Sequence, residues 1–216
     1  MKTLFTALGA ALALFLASGF ALQDKAAAPA KSGDAELIRV QKASYPLDTC
    51  PISGEKLGKD AVDTLKDGHL VRTCCSKCAA KLDAAALKKV TDAVIAAQKK
   101  SYPMDVCPIS GEKLDDKAVD HVFGTRLVRF CCPKCEANFV KDPKAVMAKL
   151  DKAYVDAQLK TYKLKTCPVS GEELGKMGAA VDYLYGTTLV RFCCADCVKD
   201  MQKDPEAILK KVRAAQ

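Results

Sequence analysis

The chain has 216 residues, 12 of them Cys and none Trp, with 34 Lys+Arg against 26 Asp+Glu and a formal charge of +8. An apolar content of 50% excludes an intrinsically disordered chain, and 6% aromatic content is thin for one large core. The basic excess is scattered among acidic residues with no five-residue basic run, so no nucleic-acid partner is expected.

At the N-terminus, Met1-Lys2 supplies a short positive region and Leu4 to Phe20 is almost wholly apolar. Gly19-Phe20-Ala21 then places small residues where a signal peptidase reads them. Residues 1–21 read as a signal peptide rather than a membrane anchor, because polar Gln23-Asp24-Lys25 follows directly. Residues 22–44 read as a flexible leader with a short helix from Asp34 to Ala43. The expected location is periplasmic or secreted, with no membrane span in the mature chain. Thiols there face oxidation unless paired or metal-bound.

The remainder is one unit written three times. Tyr45-Pro-Leu-Asp-Thr-Cys50-Pro-Ile-Ser-Gly-Glu-Lys-Leu57 leads to Leu70-Val-Arg-Thr-Cys74-Cys75-Ser-Lys-Cys78. The second copy runs from Tyr102 through Cys107 to Cys131-Cys132-Pro-Lys-Cys135, and the third from Tyr162 through Cys167 to Cys193-Cys194-Ala-Asp-Cys197. All twelve cysteines fall inside the pattern, four per copy. The copies are delimited as residues 45–101, 102–161 and 162–216. His121 aligns with Thr64 and Tyr183, and His69 has no counterpart, so neither histidine is a shared ligand. Both are expected to be surface or turn residues.

Within each copy a hairpin is expected. Asp67-Gly68 between two apolar-rich runs predicts a type I′ turn, and Gly124-Thr125 and Gly186-Thr187 suit type II′. Two-residue turns at these places set Asp63, Asp120 and Asp182 directly across from Arg72, Arg129 and Arg191. These pairs read as structural cross-strand ion pairs; the alternative is that each Arg offsets thiolate charge. Helices follow, with Asp142-Pro143 and Asp204-Pro205 as N-cap and first helical residue, and Asp83 as the cap in the first copy. Ala86, Leu87, Val90, Val94 and Ile95, and likewise Val146, Leu150, Tyr154 and Leu159, recur at helical spacing as core stripes. These helices are expected to run to Lys100 and Lys160 and to link the copies.

The cysteine spacing carries the chemistry. Each copy reads Cys-x23-Cys-Cys-x2-Cys, with x25 in the third. The first Cys opens a tight Cys-Pro-x-Ser-Gly turn, and the other three stand where a strand ends and a helix begins. A turn and a hairpin-to-helix corner are how small zinc-ribbon-like sites gather soft ligands around one ion. A helix N-terminus favours the thiolate that metals bind. A unit of this size also needs a metal or disulfide staple, because its apolar core is too small alone. The candidate metal ligands are Cys50, Cys74, Cys75 and Cys78; Cys107, Cys131, Cys132 and Cys135; and Cys167, Cys193, Cys194 and Cys197. Because adjacent cysteines do not easily fill two corners of one tetrahedron, the core set is the first Cys with the x3 pair. The second Cys of each doublet is then a fourth or auxiliary ligand.

Phe130-Cys131-Cys132-Pro-Lys-Cys135, followed by Phe139 and Asp142-Pro143, resembles the YHS domain and, more broadly, TRASH-type metal-binding modules. The resemblance implies an α+β fold of three tandem zinc-ribbon or treble-clef-like units. It also implies heavy-metal sensing, trafficking or resistance with zinc or copper. The Phe-Cys-x3-Cys element carries over to Cys131/Cys135 and Cys193/Cys197, and by alignment to Cys74/Cys78, where Thr73 replaces the Phe. Ser53, Ser110 and Ser170 stand where family members commonly carry Cys, and Cys75, Cys132 and Cys194 where they carry Ser.

Three functional readings remain open. One is an exported protein, not an enzyme, that takes one Zn²⁺ or Cu⁺ per copy, with metal ions and a metal transporter or other envelope protein as partners. Another is a disulfide-stapled scaffold or binding protein. The third is a thiol–disulfide oxidoreductase using the Cys-x2-Cys corners, which lacks a thioredoxin-like βαβ pattern.

Overall fold

The computed structural model describes residues 32–215. The expected signal peptide and the first part of the leader lie outside the described residues. Among the described residues no helix is long and apolar enough to cross a membrane.

Short alternating runs bounded by Gly-containing turns become strands, and the longer stripes become helices, giving a mixed α+β fold. In chain order the elements are α1 (Ser32–Lys42), β1 (Val62–Lys66), β2 (His69–Thr73), α2 (Ser76–Ala79) and α3 (Ala84–Gln98). Then come β3 (Val119–Phe123), β4 (Arg126–Phe130), α4 (Pro133–Lys141) and α5 (Lys144–Leu159). The last are β5 (Val181–Tyr185), β6 (Thr188–Phe192), α6 (Ala195–Met201) and α7 (Pro205–Ala215). Each β pair is its own two-stranded antiparallel sheet. A lone two-stranded hairpin is marginal in water, so each must pack on helices.

The registers follow the turns. Asp63 stands opposite Arg72, Asp120 opposite Arg129 and Asp182 opposite Arg191. Their Nε–Oδ1 separations are 2.8, 2.7 and 2.6 Å. Asp67 and Gly68 both have positive φ, at 52° and 82°, as a type I′ turn requires.

The helix starts depart in one place from expectation. Asp83 and Asp204 accept from the N–H groups of Ala86 and Ala207, as N-caps do. In the second copy α4 runs on to Lys141, so Asp142 closes that helix. Pro143 then takes the cap position, and α5 begins at Lys144. Asp142 Oδ1 still accepts from Lys144 N at 3.3 Å. The linker helices stop at Gln98 and Leu159, and a 3₁₀ turn over Lys99–Ser101 carries the first of them onward.

The expected stripes face the core. Ala86, Val90 and Val94 are buried on α3, and Val146, Leu150 and Tyr154 on α5. The second copy gathers Val128, Phe130, Phe139, Val146 and Leu150 around Cys107 and Cys135. The third gathers Val190, Phe192, Met201, Leu209 and Val212 around Cys167, Cys193 and Cys197.

A glutamine joins each copy to the helix before it. Gln98 Nε2 donates to Thr125 O at 2.8 Å while its Oε1 accepts from Leu127 N at 2.9 Å. Gln41 makes the same pair of bonds to Gly68 O and Leu70 N, and Gln158 to Thr187 O and Leu189 N. The side-chain amide thus acts as one more peptide against the hairpin. Four residues on, the hydroxyls of Tyr45, Tyr102 and Tyr162 accept from Arg72 N, Arg129 N and Arg191 N, each at 3.1 Å.

The three hairpins converge on the end of α1. Gln41 holds the first; Thr125 Oγ1 donates to Gln41 O at 2.8 Å from the second; Tyr185 OH donates to Arg39 O at 3.0 Å from the third. Arg213 of α7 adds a bond to Ala43 O. His69 Nδ1 donates to Gly124 O at 2.8 Å, linking the first two hairpins.

Candidate metal centres

The first cysteine of each copy is set by a small closed loop. Cys50 N–H donates to Glu55 O at 2.7 Å and Gly54 N–H to Cys50 O at 2.8 Å, and an isolated bridge joins Thr49 to Lys56. Gly54, Gly111 and Gly171 all take φ +78°, which a side chain would strain; glycine is needed to close the loop. The same bonds recur at Cys107 and Cys167. All three first cysteines are buried.

The doublet and the last cysteine come from the strand-to-helix corner. Cys74, Cys131 and Cys193 directly follow β2, β4 and β6; Cys75, Cys132 and Cys194 are the N-caps of α2, α4 and α6. Cys78, Cys135 and Cys197 lie in the first helical turn, beneath the preceding residue of the doublet. Three clusters result: Cys50, Cys74 and Cys78; Cys107, Cys131 and Cys135; Cys167, Cys193 and Cys197. Within each, the sulfurs all lie within 4.8 Å of one another. The second member of each doublet stands beside its triad, with Cys75 and Cys132 3.8 Å from Cys74 and Cys131, and Cys194 3.7 Å from Cys197.

The donor set fits a soft ion. Sγ–Sγ separations are 3.7 Å for Cys74–Cys78, 3.8 Å for Cys131–Cys135 and 3.7 Å for Cys193–Cys197. Sulfurs around a tetrahedral ion with bonds of about 2.3 Å would stand roughly 3.8 Å apart. All twelve cysteines are free thiols, and these separations are far beyond the roughly 2.05 Å of a disulfide.

Each first cysteine is poised as a thiolate. Burial pushes the Cys50 thiol up, but the N–H groups of Ser53 and Cys74 and the Ser53 hydroxyl outweigh it, bringing the pKa to about 6. Cys107 and Cys167 reach about 6 in the same way, through Ser110 and Cys131, and Ser170 and Cys193. Cys74, Cys131 and the last cysteine of each copy respond oppositely. At Cys74 the Ser53 hydroxyl pulls downward, but the Glu55 carboxylate, burial and the neighbouring thiols lift it to about 12. Burial raises Cys78, Cys135 and Cys197. Cys75, Cys132 and Cys194 are lowered, first by the N–H groups of Cys78, Cys135 and Cys197 at the helix start.

One serine hydroxyl lies against a doublet sulfur in every copy. Ser53, Ser110 and Ser170 Oγ lie 3.3, 3.2 and 3.3 Å from Cys74, Cys131 and Cys193 Sγ. A lysine from each following long helix reaches the carbonyl next to the first cysteine. Lys89 Nζ donates to Pro51 O at 2.8 Å, Lys149 to Pro108 O at 2.9 Å and Lys211 to Pro168 O at 3.1 Å. These lysines bring positive charge to the cysteine turn, while each cross-strand arginine Nε is held by its Asp. Neither histidine belongs to a triad: His121 Nδ1 is 2.9 Å from Glu136 Oε1, and its ring packs edge-on against Phe139.

Sequence reasoning passed over the glutamines and the lysines. The glutamine signal was present, since Gln41, Gln98 and Gln158 each stand nine residues before the first cysteine. The lysine signal was obscured because Lys89 follows Cys78 by 11 residues, whereas Lys149 and Lys211 follow Cys135 and Cys197 by 14. Set against family models, curated proteins and solved structures, the chain matches none.

Proposed function

We propose that the protein is an exported, non-enzymatic metal-binding protein of the YHS/TRASH kind, its three units zinc-ribbon or treble-clef-like, each taking one Zn²⁺ or Cu⁺. Its role in this reading is heavy-metal trafficking, buffering or resistance in the cell envelope, in exchange with a transporter or another envelope protein. The observation that carries the reading is the threefold recurrence of one three-sulfur cluster, with one thiol per cluster drawn down to about 6. Thiolates select soft ions, and a coordinated thiol gives up its proton on binding. When bound, the ion would supply the cross-link between turn and helix that so small a core lacks. The chain's own part is to hold the sulfurs together, to supply N–H and hydroxyl donors to them, and to set a lysine beside each turn. The second cysteine of each doublet serves as an auxiliary ligand.

Substitution of one triad tests this directly. Cys107→Ser is expected to lower the zinc bound per chain from three to two and to loosen residues 102–161 alone in hydrogen exchange. Unchanged metal content would refute the ligand assignment.

A further inference from the structure

The three triads are not equally covered. In the third copy all three cysteines are buried; in the second, Cys107 and Cys135 are; in the first, only Cys50 is, with Cys74 and Cys78 half-exposed. The difference lies at two places in each copy, the residue just before the doublet and the residue four after the last cysteine. Phe130 and Phe139 of the second copy are fully buried, with ring centroids 5.3 Å apart, and share one core with Cys107 and Cys135. Phe192 and Met201 hold the equivalent places in the third. The first copy has Thr73 and Leu82 there. Thr73 turns its hydroxyl to the carbonyls of Val62 and Cys75, and Leu82 is half-exposed. The helix that carries Cys78 is also the shortest, with 4 residues against 9 and 7 in α4 and α6. An apolar shell governs the access of water and competing ligands to a metal site.

We propose that the Cys50–Cys74–Cys78 triad is the exchange site of the molecule, passing a soft ion to and from thiol-bearing acceptors, while the other two triads retain theirs. This rests on the metal-binding reading above. The transfer is ligand substitution without redox change. An acceptor thiol gives its proton to a departing protein thiolate as its sulfur forms a new bond to the ion, and the ion keeps its oxidation state. Cys74 and Cys78 are the sulfurs that an incoming thiolate can reach.

The test loads the whole chain with Zn²⁺ and follows its release to excess chromogenic chelator. One ion of three is expected to leave at least about tenfold faster than the others. Cys50→Ser should abolish that phase and leave two slow ions. Leu82→Phe, which extends apolar cover over the first triad without touching a ligand, should keep three ions and slow the fast phase. Three ions leaving in a single phase, or a Cys50→Ser chain that loses a slow ion, would overturn the exchange assignment alone. A chain that takes up no zinc would overturn the metal-binding reading as well.

Discussion

At the scale of the residue, the decisive groups are thiols whose acidities diverge within one cluster. The first cysteine of each copy sits where several N–H and O–H donors favour its anion, and the neighbours then resist a second charge. Reduced, metal-free protein should therefore lose its first proton from each cluster near pH 6, not at the ordinary value of about 8.5, as read by thiolate ultraviolet absorbance. The consequence for stability has a definite sign. Where the folded value lies below the unfolded one, the contribution is complete above about 8.5 and is lost as pH falls through 6. Cys74, raised to about 12, acts oppositely, its contribution being lost as pH climbs from about 8.5 through 12. Stability of the metal-free chain should peak near the ordinary thiol value, and denaturant unfolding across pH measures it. The grouping of the first Cys with the x3 pair was legible from spacing, but the closeness of the doublet was not: Cys74 and Cys75, like Cys131 and Cys132, bring their sulfurs to 3.8 Å although adjacent. The divergence in acidity was not, since it depends on donors such as Ser53 N–H that only the closed turn brings to the sulfur.

At the scale of the element, the hairpins were the most legible feature. A two-residue turn leaves one register, so placing Asp67-Gly68 fixed the pairing of Asp63 with Arg72. The boundary after α4 was less so, because Asp142-Pro143 can end one helix or begin the next. Burial of Phe139 on α4 extends that helix to Lys141, which moves Asp142 to its C-terminus. The glutamine clamps escaped notice for another reason. A polar residue late in a helix reads as solvated, yet Gln98 is only 6% exposed and satisfies two backbone groups that no strand reaches. Gln98→Ala leaves Thr125 O and Leu127 N without partners and is expected to cost about 1–3 kcal/mol in denaturant unfolding. Gln98→Glu should restore only the bond from Leu127 N.

At the scale of the whole molecule, the repeat was evident from cysteine order, but its closure was not. The bonds that gather the hairpins on α1 join residues far apart in sequence, such as Tyr185 to Arg39 and Arg213 to Ala43, and follow no periodic pattern. Close approach leaves its trace at Gly186. A Cβ there would lie 2.8 Å from that of Ala43, and its φ of 64° disfavours a side chain in any case. Gly68 shares the positive φ but has open space around it. Gly186→Ala is therefore expected to cost more than about 1 kcal/mol and to lower the melting temperature further than Gly68→Ala does. Equal losses would mean that the junction between the third hairpin and α1 yields freely.

The central claim is that the threefold cysteine cluster holds metal through reduced thiols. The native mass of the protein, purified without added metal or reductant, tests it most directly. Three bound ions, each adding roughly 63 Da, on an otherwise reduced chain are expected. A metal-free chain lighter by about 12 Da, the mass lost to six disulfides, would contradict it.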